Sequence, residues 1–317
     1  MDIEKVEVEK ELRVIFMGTP QFSVPVLEKL IENYNVVAVV TQPDKQIGRG
    51  RKIGVSPIKK VALDNNILCL QPRRIKEEFK EIIELEPDII ITCAYGQIIP
   101  KELLDYPKYG CINVHASLLP KLRGGAPIQR AIMNGYKKTG ITIMFMDVKM
   151  DAGAIIKTSE IEIKDDENYA SLHNRLSKLG SELLIDTLPS IISGDINPIG
   201  QSESEVTYGF NITKEDEKIN FNKSKIDIYN QIRGLDGFSG AYCIYQGKRL
   251  KVWASILSDN HFSNLLDGEI TSIYKEGIGV KVSDGEIILT IVQLEGKNKM
   301  SAREFANGKE LVGKVLE

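Results

Sequence analysis

LRVIFMGTPQFSVPVLEKLIENYNVVAVVT, residues 12–41, is the stretch that decides the fold. A short, mostly apolar run stops at Gly18-Thr-Pro20, and apolar positions 26, 27, 30 and 31 then recur at helical spacing within residues 22–33. A second apolar run occupies residues 36–41. Strand, helix and strand joined by links this short form a parallel pair with a helical crossover. The pattern continues with a strand at 67–70, a helical period over 75–85, and strands at 88–92 and 111–114. The fold class expected is α/β, a doubly wound, Rossmann-like, mostly parallel sheet. Such sheets bind ligands outside the carboxyl ends of their strands. Those ends are Gly18-Thr-Pro20, Thr41-Gln-Pro43, Thr92-Cys-Ala-Tyr-Gly96 and Asn113-Val-His115.

Residues 140–146 and 154–163 read as two further strands joined by Asp147-Val-Lys-Met-Asp-Ala-Gly153, and residues 169–193 as a long helix. Residues 194–208 are polar, carry Gly and Pro and show no period, which reads as a linker. Beyond it, a helical pattern at 224–233 precedes short strands at 241–245, 250–254, 268–274, 278–282 and 286–294. Their turns carry Gln246-Gly247, Lys275-Glu-Gly277 and Ser283-Asp-Gly285. This spacing suggests a small, OB-like β-barrel. The expected organisation is an α/β domain at 1–193, a linker at 194–208 and a C-terminal β-barrel domain at 209–317.

The apolar fraction of 42% and the charged fraction of 27% are those of an ordinary folded protein. A net charge of −3 argues against nucleic-acid binding by bulk positive charge, yet leaves room for a local basic patch. The four cysteines, at 69, 93, 111 and 243, form no CxxC pair; those at 69, 93 and 111 lie in or beside apolar runs and read as reduced thiols. The opening MDIEKVEVEKELRV has alternating charge and no apolar signal core, and no apolar stretch approaches the ~18 residues of a membrane span. A cytoplasmic protein without membrane contact is expected. Neither histidines nor cysteines are spaced to hold zinc, so no metal is expected.

The least ordinary segment is CINVHASLLPKLRGGAPIQR, residues 111–130, which holds one of only three histidines. Side chains alternate along a strand, so Asn113 and His115 project to one face near its carboxyl end. Asn is an uncharged donor, and His donates or exchanges a proton near neutral pH. A carbonyl oxygen between them would meet two convergent donors as it became an oxyanion, each worth roughly 3 kcal/mol. Ser117-Leu118-Leu119-Pro120 lacks glycine and is stiffened by its proline, which suits a fixed wall for a flat apolar ligand. A carboxylate is needed to orient the imidazole. Asp151, in the turn closed by Gly153, is preferred over its competitor Asp147. Spacing alone also allows polar groups that merely cap the sheet. Gly18-Thr-Pro-Gln-Phe22 lacks the further glycines of a dinucleotide fingerprint, and no Gly-x-Ser-x-Gly elbow is present.

Asn113-Val-His115, Ser117-Leu-Leu-Pro120, Arg123-Gly-Gly-Ala-Pro-Ile-Gln129, Gly140-Ile-Thr-Ile-Met144 and Asp151-Ala-Gly153, in this order, closely resemble the 10-formyltetrahydrofolate-dependent formyltransferase family. The resemblance covers almost the whole chain. It implies that Asn113, His115 and Asp151 form a catalytic trio and that Ser117, Leu118, Leu119 and Pro120 line the folate site. It also implies 10-formyltetrahydrofolate as co-substrate, without a metal. Within the family, TQPDKQIGRGRKIGVSP (residues 41–57) is similar to the insertion loop of members that formylate initiator methionyl-tRNA. Arg49, Arg51 and Lys52 would then meet the tRNA, where the bare reading is a solvated basic loop. Asn211-Ile-Thr, Ile232-Arg-Gly-Leu235, Gly247-Lys-Arg-Leu-Lys-Val-Trp253 and Met300-Ser-Ala-Arg-Glu-Phe305 resemble their tRNA-binding tail, with Lys248, Arg249, Lys251 and Lys297 as a candidate basic face. Asp236-Gly-Phe-Ser-Gly-Ala241 departs from the proline-rich segment usual there. The resemblance implies formyl transfer to initiator methionyl-tRNA for translation initiation, by a monomer. The alternative is formylation of a sugar-nucleotide amine with the same donor.

Overall fold

The computed structural model describes residues 11–47 and 52–317. The chain divides into two compact units. The first is built from the described residues up to Pro127, with Thr139–Ile161 and His173–Gly209. The second is built from Ile128–Lys138, Glu162–Leu172 and Phe210–Glu317.

The strands of the first half are β1 (Arg13–Gly18), β2 (Asn35–Val40), β3 (Lys45–Ile47), β4 (Lys52–Gly54), β5 (Leu68–Leu70), β6 (Ile89–Cys93), β7 (Cys111–His115), β8 (Lys138–Phe145) and β9 (Ile155–Glu162). Seven of them form one sheet in the order β5-β2-β1-β6-β7-β8-β9. From β5 to β7 every pairing is parallel, and β8 runs antiparallel to β7. The order reverses at β1, which has β2 on one side and β6 on the other; this is the switch point of a doubly wound sheet. Its central strands are continuous apolar runs because they are buried: every residue of β6 is buried.

The helix Val24–Asn33 buries Val26, Leu27 and Leu30 at its apolar spacing. The long helix Tyr169–Ser193 has the bounds expected of it. Gly180 lets this helix close on β7, since a Cβ there would come within 2.9 Å of Val114 Cγ1. The helix expected over 75–85 is instead two single turns, Ile75–Glu78 and Lys80–Ile83, parted at Phe79. The Glu78 carboxylate folds back onto the amides of Arg73 and Arg74, closing the first turn on itself.

The basic loop is a ribbon at its base. β3 pairs antiparallel with β4, Lys52 lies opposite Ile47, and Thr41 and Ser56 close the foot with hydroxyls 2.8 Å apart. Arg49 and Arg51 lie outside the described residues. Thus only Lys52 of the proposed tRNA-contacting residues is placed, on β4.

In the second unit, the helix Lys225–Leu235 is capped by Ser224, whose side chain accepts from the Asp227 amide. It packs on β10 (Ala241–Tyr245), β11 (Lys248–Ser258), β12 (Ile270–Ile273), β13 (Ile278–Val282), β14 (Gly285–Leu294) and β15 (Met300–Ser301), which pair in the path β10-β11-β14-β13-β12 with β15 on β14. β11 runs further than the apolar pattern suggested, because its register with β14 shifts on either side of Ala254 and breaks the alternation. Residues 313–317 bridge the two edges. Ile244 and Glu317 exchange both backbone hydrogen bonds, and Gly313, Lys314 and Leu316 bond to Gly268 and Ile270. The antiparallel sheet is thereby closed into a small barrel around Val252, Val280, Leu289, Phe305 and Leu316.

Among the described residues no helix is long and apolar enough to cross a membrane. All four cysteines are free thiols. Burial pushes Cys93, Cys111 and Cys243 up to about 12, which leaves them protonated and inert at neutral pH.

If residues 313–317 close the barrel, Leu316→Ala destabilises the chain by about 3 kcal/mol, because it empties a fully packed site and loosens the closing strand. Denaturant unfolding measures this; a loss below about 1 kcal/mol would show that the barrel stands without its closing segment.

Candidate active site

The site is built at the carboxyl ends of β6 and β7 and on the loops that follow β7 and β8. β7 is flanked on both sides. Asn113 stands level with Thr92 of β6 and Met144 of β8, and His115 level with Thr142 of β8. The Thr92 hydroxyl lies 2.9 Å from Asn113 Oδ1, and 3.2 Å from both the Ile112 carbonyl and Met146 Sδ. A hydroxyl has one proton to give, and its shortest contact is Asn113 Oδ1. Both protons of Asn113 Nδ2 are then left for a ligand.

His115 is buried two residues on, as the strand alternation requires. Its Nε2 is 3.2 Å from the Leu122 carbonyl, which can only accept, so this nitrogen carries a proton. Nδ1 faces Asp151 Oδ2 at 3.7 Å, too far for a direct hydrogen bond. Asp151 Oδ2 also accepts from the Gly124 amide at 2.8 Å, which ties the carboxylate to the loop after β7. The competing Asp147 is exposed and accepts from the Lys149 amide instead.

Two local backbones make this arrangement possible. Leu122 and Asp151, neither of them glycine, have φ of 59° and 50°, in the left-handed region. Gly153 closes the Asp151 turn against β8; a Cβ there would collide with the Phe145 carbonyl. The segment Ser117 to Pro120 spends its polar groups internally. Ser117 Oγ donates to the Lys121 carbonyl at 2.6 Å, and Thr142 Oγ1 donates to the Ser117 carbonyl at 2.7 Å and accepts from the Leu119 amide at 3.1 Å. Ser117 and Leu119 are buried, so the surface offered is that of Leu118 and Pro120.

The structure thus brings together Asn113, His115 and Asp151, with the Ser117 to Pro120 segment leading out of the same strand end. Sequence reasoning missed Thr92, Thr142 and Gln201. The first two sit inside apolar strand runs and look like ordinary β-branched filler until the register is known. Gln201 lies in the polar stretch read as a linker. It donates from Nε2 to the carbonyls of Asp151 and Gly153, each at 2.8 Å.

A family model described as formyl transferase matches residues 12–188, and one described as formyl transferase, C-terminal domain, matches residues 211–310. The chain belongs to the formyl transferase family. Among curated members, it is 49% identical over 300 residues to the methionyl-tRNA formyltransferase of Bacillus licheniformis, covering 93% of this chain and 95% of that one. It is 47% identical over 311 residues to that of Bacillus subtilis, covering 96% and 97%. Solved structures of similar fold include the methionyl-tRNA formyltransferase from Clostridium thermocellum, at a TM-score of 0.55, 21% identity and coverage of 78% and 94%. The N-formyltransferase from Helicobacter canadensis, solved with folinic acid and dTDP-3-aminofucose, aligns at a TM-score of 0.67, 21% identity and coverage of 88% and 98%.

A second feature lies on the barrel. Arg249 is 4.3 Å from the centre of the Tyr242 ring, and Lys251 and Lys299 lie 5.1 and 3.3 Å from that of Trp253. Burial lowers the Lys251 pKa; Glu217 opposes this shift, and the neighbouring Lys214, Arg249 and Lys299 cations reinforce it. Gly240 permits the turn before β10 to lie on the Trp253 ring, where a Cβ would come within 2.9 Å of the indole. Cations stacked on aromatic faces make a surface able to meet both phosphates and bases.

If Thr92 orients the Asn113 amide, Thr92→Val lowers the turnover of formyl transfer about tenfold, whereas Thr92→Ser stays near wild type. Steady-state kinetics decide this; full turnover in Thr92→Val would show that the amide holds its orientation unaided.

Proposed function

We propose that this chain transfers the formyl group of 10-formyltetrahydrofolate to the α-amine of initiator methionyl-tRNA, giving N-formylmethionyl-tRNA for translation initiation. The observation that carries the choice of acceptor is identity close to one half, along nearly the full length, with Bacillus enzymes named methionyl-tRNA formyltransferase. Backbone similarity ranks the alternatives the other way: the Helicobacter canadensis N-formyltransferase superimposes better than the Clostridium thermocellum enzyme. Both are only 21% identical and so speak for the fold alone. Identity over the whole chain is the better guide to the acceptor, and it favours methionyl-tRNA over a sugar-nucleotide amine.

In this reading the acceptor amine attacks the formyl carbon, and the carbonyl oxygen becomes an oxyanion. Asn113 Nδ2, held outward by Thr92, donates to that oxygen. His115, protonated at Nδ1, donates into the space it shares with Asp151. Collapse of the adduct breaks the bond between the formyl carbon and N10 of the folate, and the proton lost by the amine is passed to that nitrogen. Asp151 keeps Nδ1 chargeable during the exchange, while the Leu122 carbonyl fixes the ring. No side chain acts as nucleophile, because the acceptor supplies one. The donor fits the strand end: Leu118 and Pro120 offer an apolar edge for a flat ring system, in a segment that keeps its own hydrogen bonds. Arg49, Arg51 and Lys52 are assigned to the acceptor end of the tRNA, and the face formed by Arg249, Lys251, Trp253 and Lys299 to its backbone. The protein acts as a cytoplasmic monomer and uses no metal.

Asn113→Ala, His115→Ala and Asp151→Ala should each lower turnover by about 10²-fold or more with folding intact, as measured with 10-formyltetrahydrofolate and charged initiator tRNA. A near-normal rate in His115→Ala would contradict the mechanism. Trp253→Ala combined with Lys299→Ala should raise the KM for the charged tRNA about tenfold and leave that for the folate unchanged. Equal effects on both would remove the barrel face from tRNA binding.

A further inference from the structure

The polar stretch between the two family-matched regions is bound into the catalytic centre. Residue 199 pairs with β9, where Ile155 and Ile199 exchange both backbone hydrogen bonds at 2.8 Å. Two residues on, the Gln201 amide donates to the carbonyls of Asp151 and Gly153, while its Oε1 accepts from Arg123 Nε at 3.0 Å. Arg123 is itself 3% exposed and belongs to the loop that follows His115. One amide thereby joins the Asp151 turn to the His115 loop. Further along, Thr207 Oγ1 accepts from the Leu122 amide at 2.9 Å, the Thr207 carbonyl accepts from the Arg123 amide at 2.9 Å, and the Gly209 amide donates to the Arg123 carbonyl at 2.8 Å.

The two residues so gripped, Leu122 and Asp151, are both left-handed, and neither is glycine. Leucine in that conformation drives its Cβ against its own backbone and relaxes to an extended or right-handed form unless the surroundings forbid it. Relaxation at Leu122 would turn away the carbonyl that fixes His115 Nε2. Relaxation at Asp151 would swing the carboxylate away from Nδ1. Each strained backbone carries one half of the alignment of His115 with Asp151, and each is held by the same short run of chain.

We infer that residues 199–209 are a positioning strap for the catalytic centre: Thr207 holds the Leu122 backbone that fixes His115, and Gln201 holds the turn that presents Asp151. The inference rests on the formyl transfer proposed above. It makes Gln201 and Thr207 positioning residues, since neither side chain bonds to the trio's own reactive groups. It also gives the stretch a role that a flexible tether between domains would not have.

The test uses the full chain carrying Gln201→Ala, Thr207→Val or Thr207→Ser. Displacement of a reacting group by about 1 Å costs about 10²-fold in rate, so Gln201→Ala and Thr207→Val should lower kcat by tenfold to a hundredfold, with KM for both substrates within about twofold of wild type. Thr207→Ser, which keeps the acceptor hydroxyl, should recover the wild-type kcat. Hydrogen exchange followed in parallel should speed up at residues 120–124 and 149–153 in the two disruptive variants, with β6 and β7 unchanged. Wild-type kcat in both disruptive variants would overturn the inference, as would failure of Thr207→Ser to restore it. Should the wild type itself fail to formylate methionyl-tRNA, the proposed function falls and exchange alone decides: unchanged exchange at 120–124 and 149–153 would then overturn the strap.

Discussion

β7 is paired along both edges, parallel to β6 and antiparallel to β8, and the proposed chemistry depends on that double pairing. A strand fixed on one side alone can slip or twist. One fixed on both has its register set twice, and a slip of one residue would send Asn113 and His115 to the opposite face. The neighbours do more than hold the strand. Thr92 of β6 orients the Asn113 amide, and Thr142 of β8 anchors the backbone of the loop that leaves His115. The site is therefore an outcome of sheet register, and its precision is that of the sheet.

The third member of the proposed trio arrives differently. Asp151 comes from the turn between β8 and β9, and it reaches His115 through a left-handed backbone and a glycine that no side chain could replace. Strain in a turn persists only where its surroundings over-determine it. Here the Gly124 amide grips the carboxylate and the Gln201 amide grips the main chain. A rigid strand supplies two groups and a clamped turn supplies the third. The gap of 3.7 Å between His115 Nδ1 and the Asp151 carboxylate is longer than a direct hydrogen bond.

The strand and helix order of the first half was legible because parallel strands are apolar throughout and their ends are punctuated by Gly, Pro and polar residues, as at Gly18-Thr-Pro20. That Asn113 and His115 share one strand face was legible through the period of two, whereas spacing could only nominate Asp151, in the turn closed by Gly153, and the family resemblance placed it. Thr92, Thr142 and Gln201 were not legible, since their roles come from register and long-range pairing that local spacing does not encode. The polar stretch around Gln201 looked structureless for the same reason: its hydrogen bonds go to loops some fifty to eighty residues away in sequence. The helix expected over 75–85 failed at Phe79 although its apolar period is intact, and β11 outran its pattern where the register with β14 shifts beside Trp253. On the barrel, the basic residues of β11 were visible in sequence. Their stacking on Tyr242 and Trp253 required the fold, and it gives a chain of net charge −3 a local surface suited to nucleic acid.

The most direct measurement follows the fate of the formyl carbon. Donor labelled at that carbon is supplied with methionyl-tRNA and an amino-sugar nucleotide together, and the products are separated by mass. The account predicts label on the methionine α-amine, with none on the sugar and none released as formate above the uncatalysed rate. Label on the sugar amine, or free formate as the main product, would contradict it.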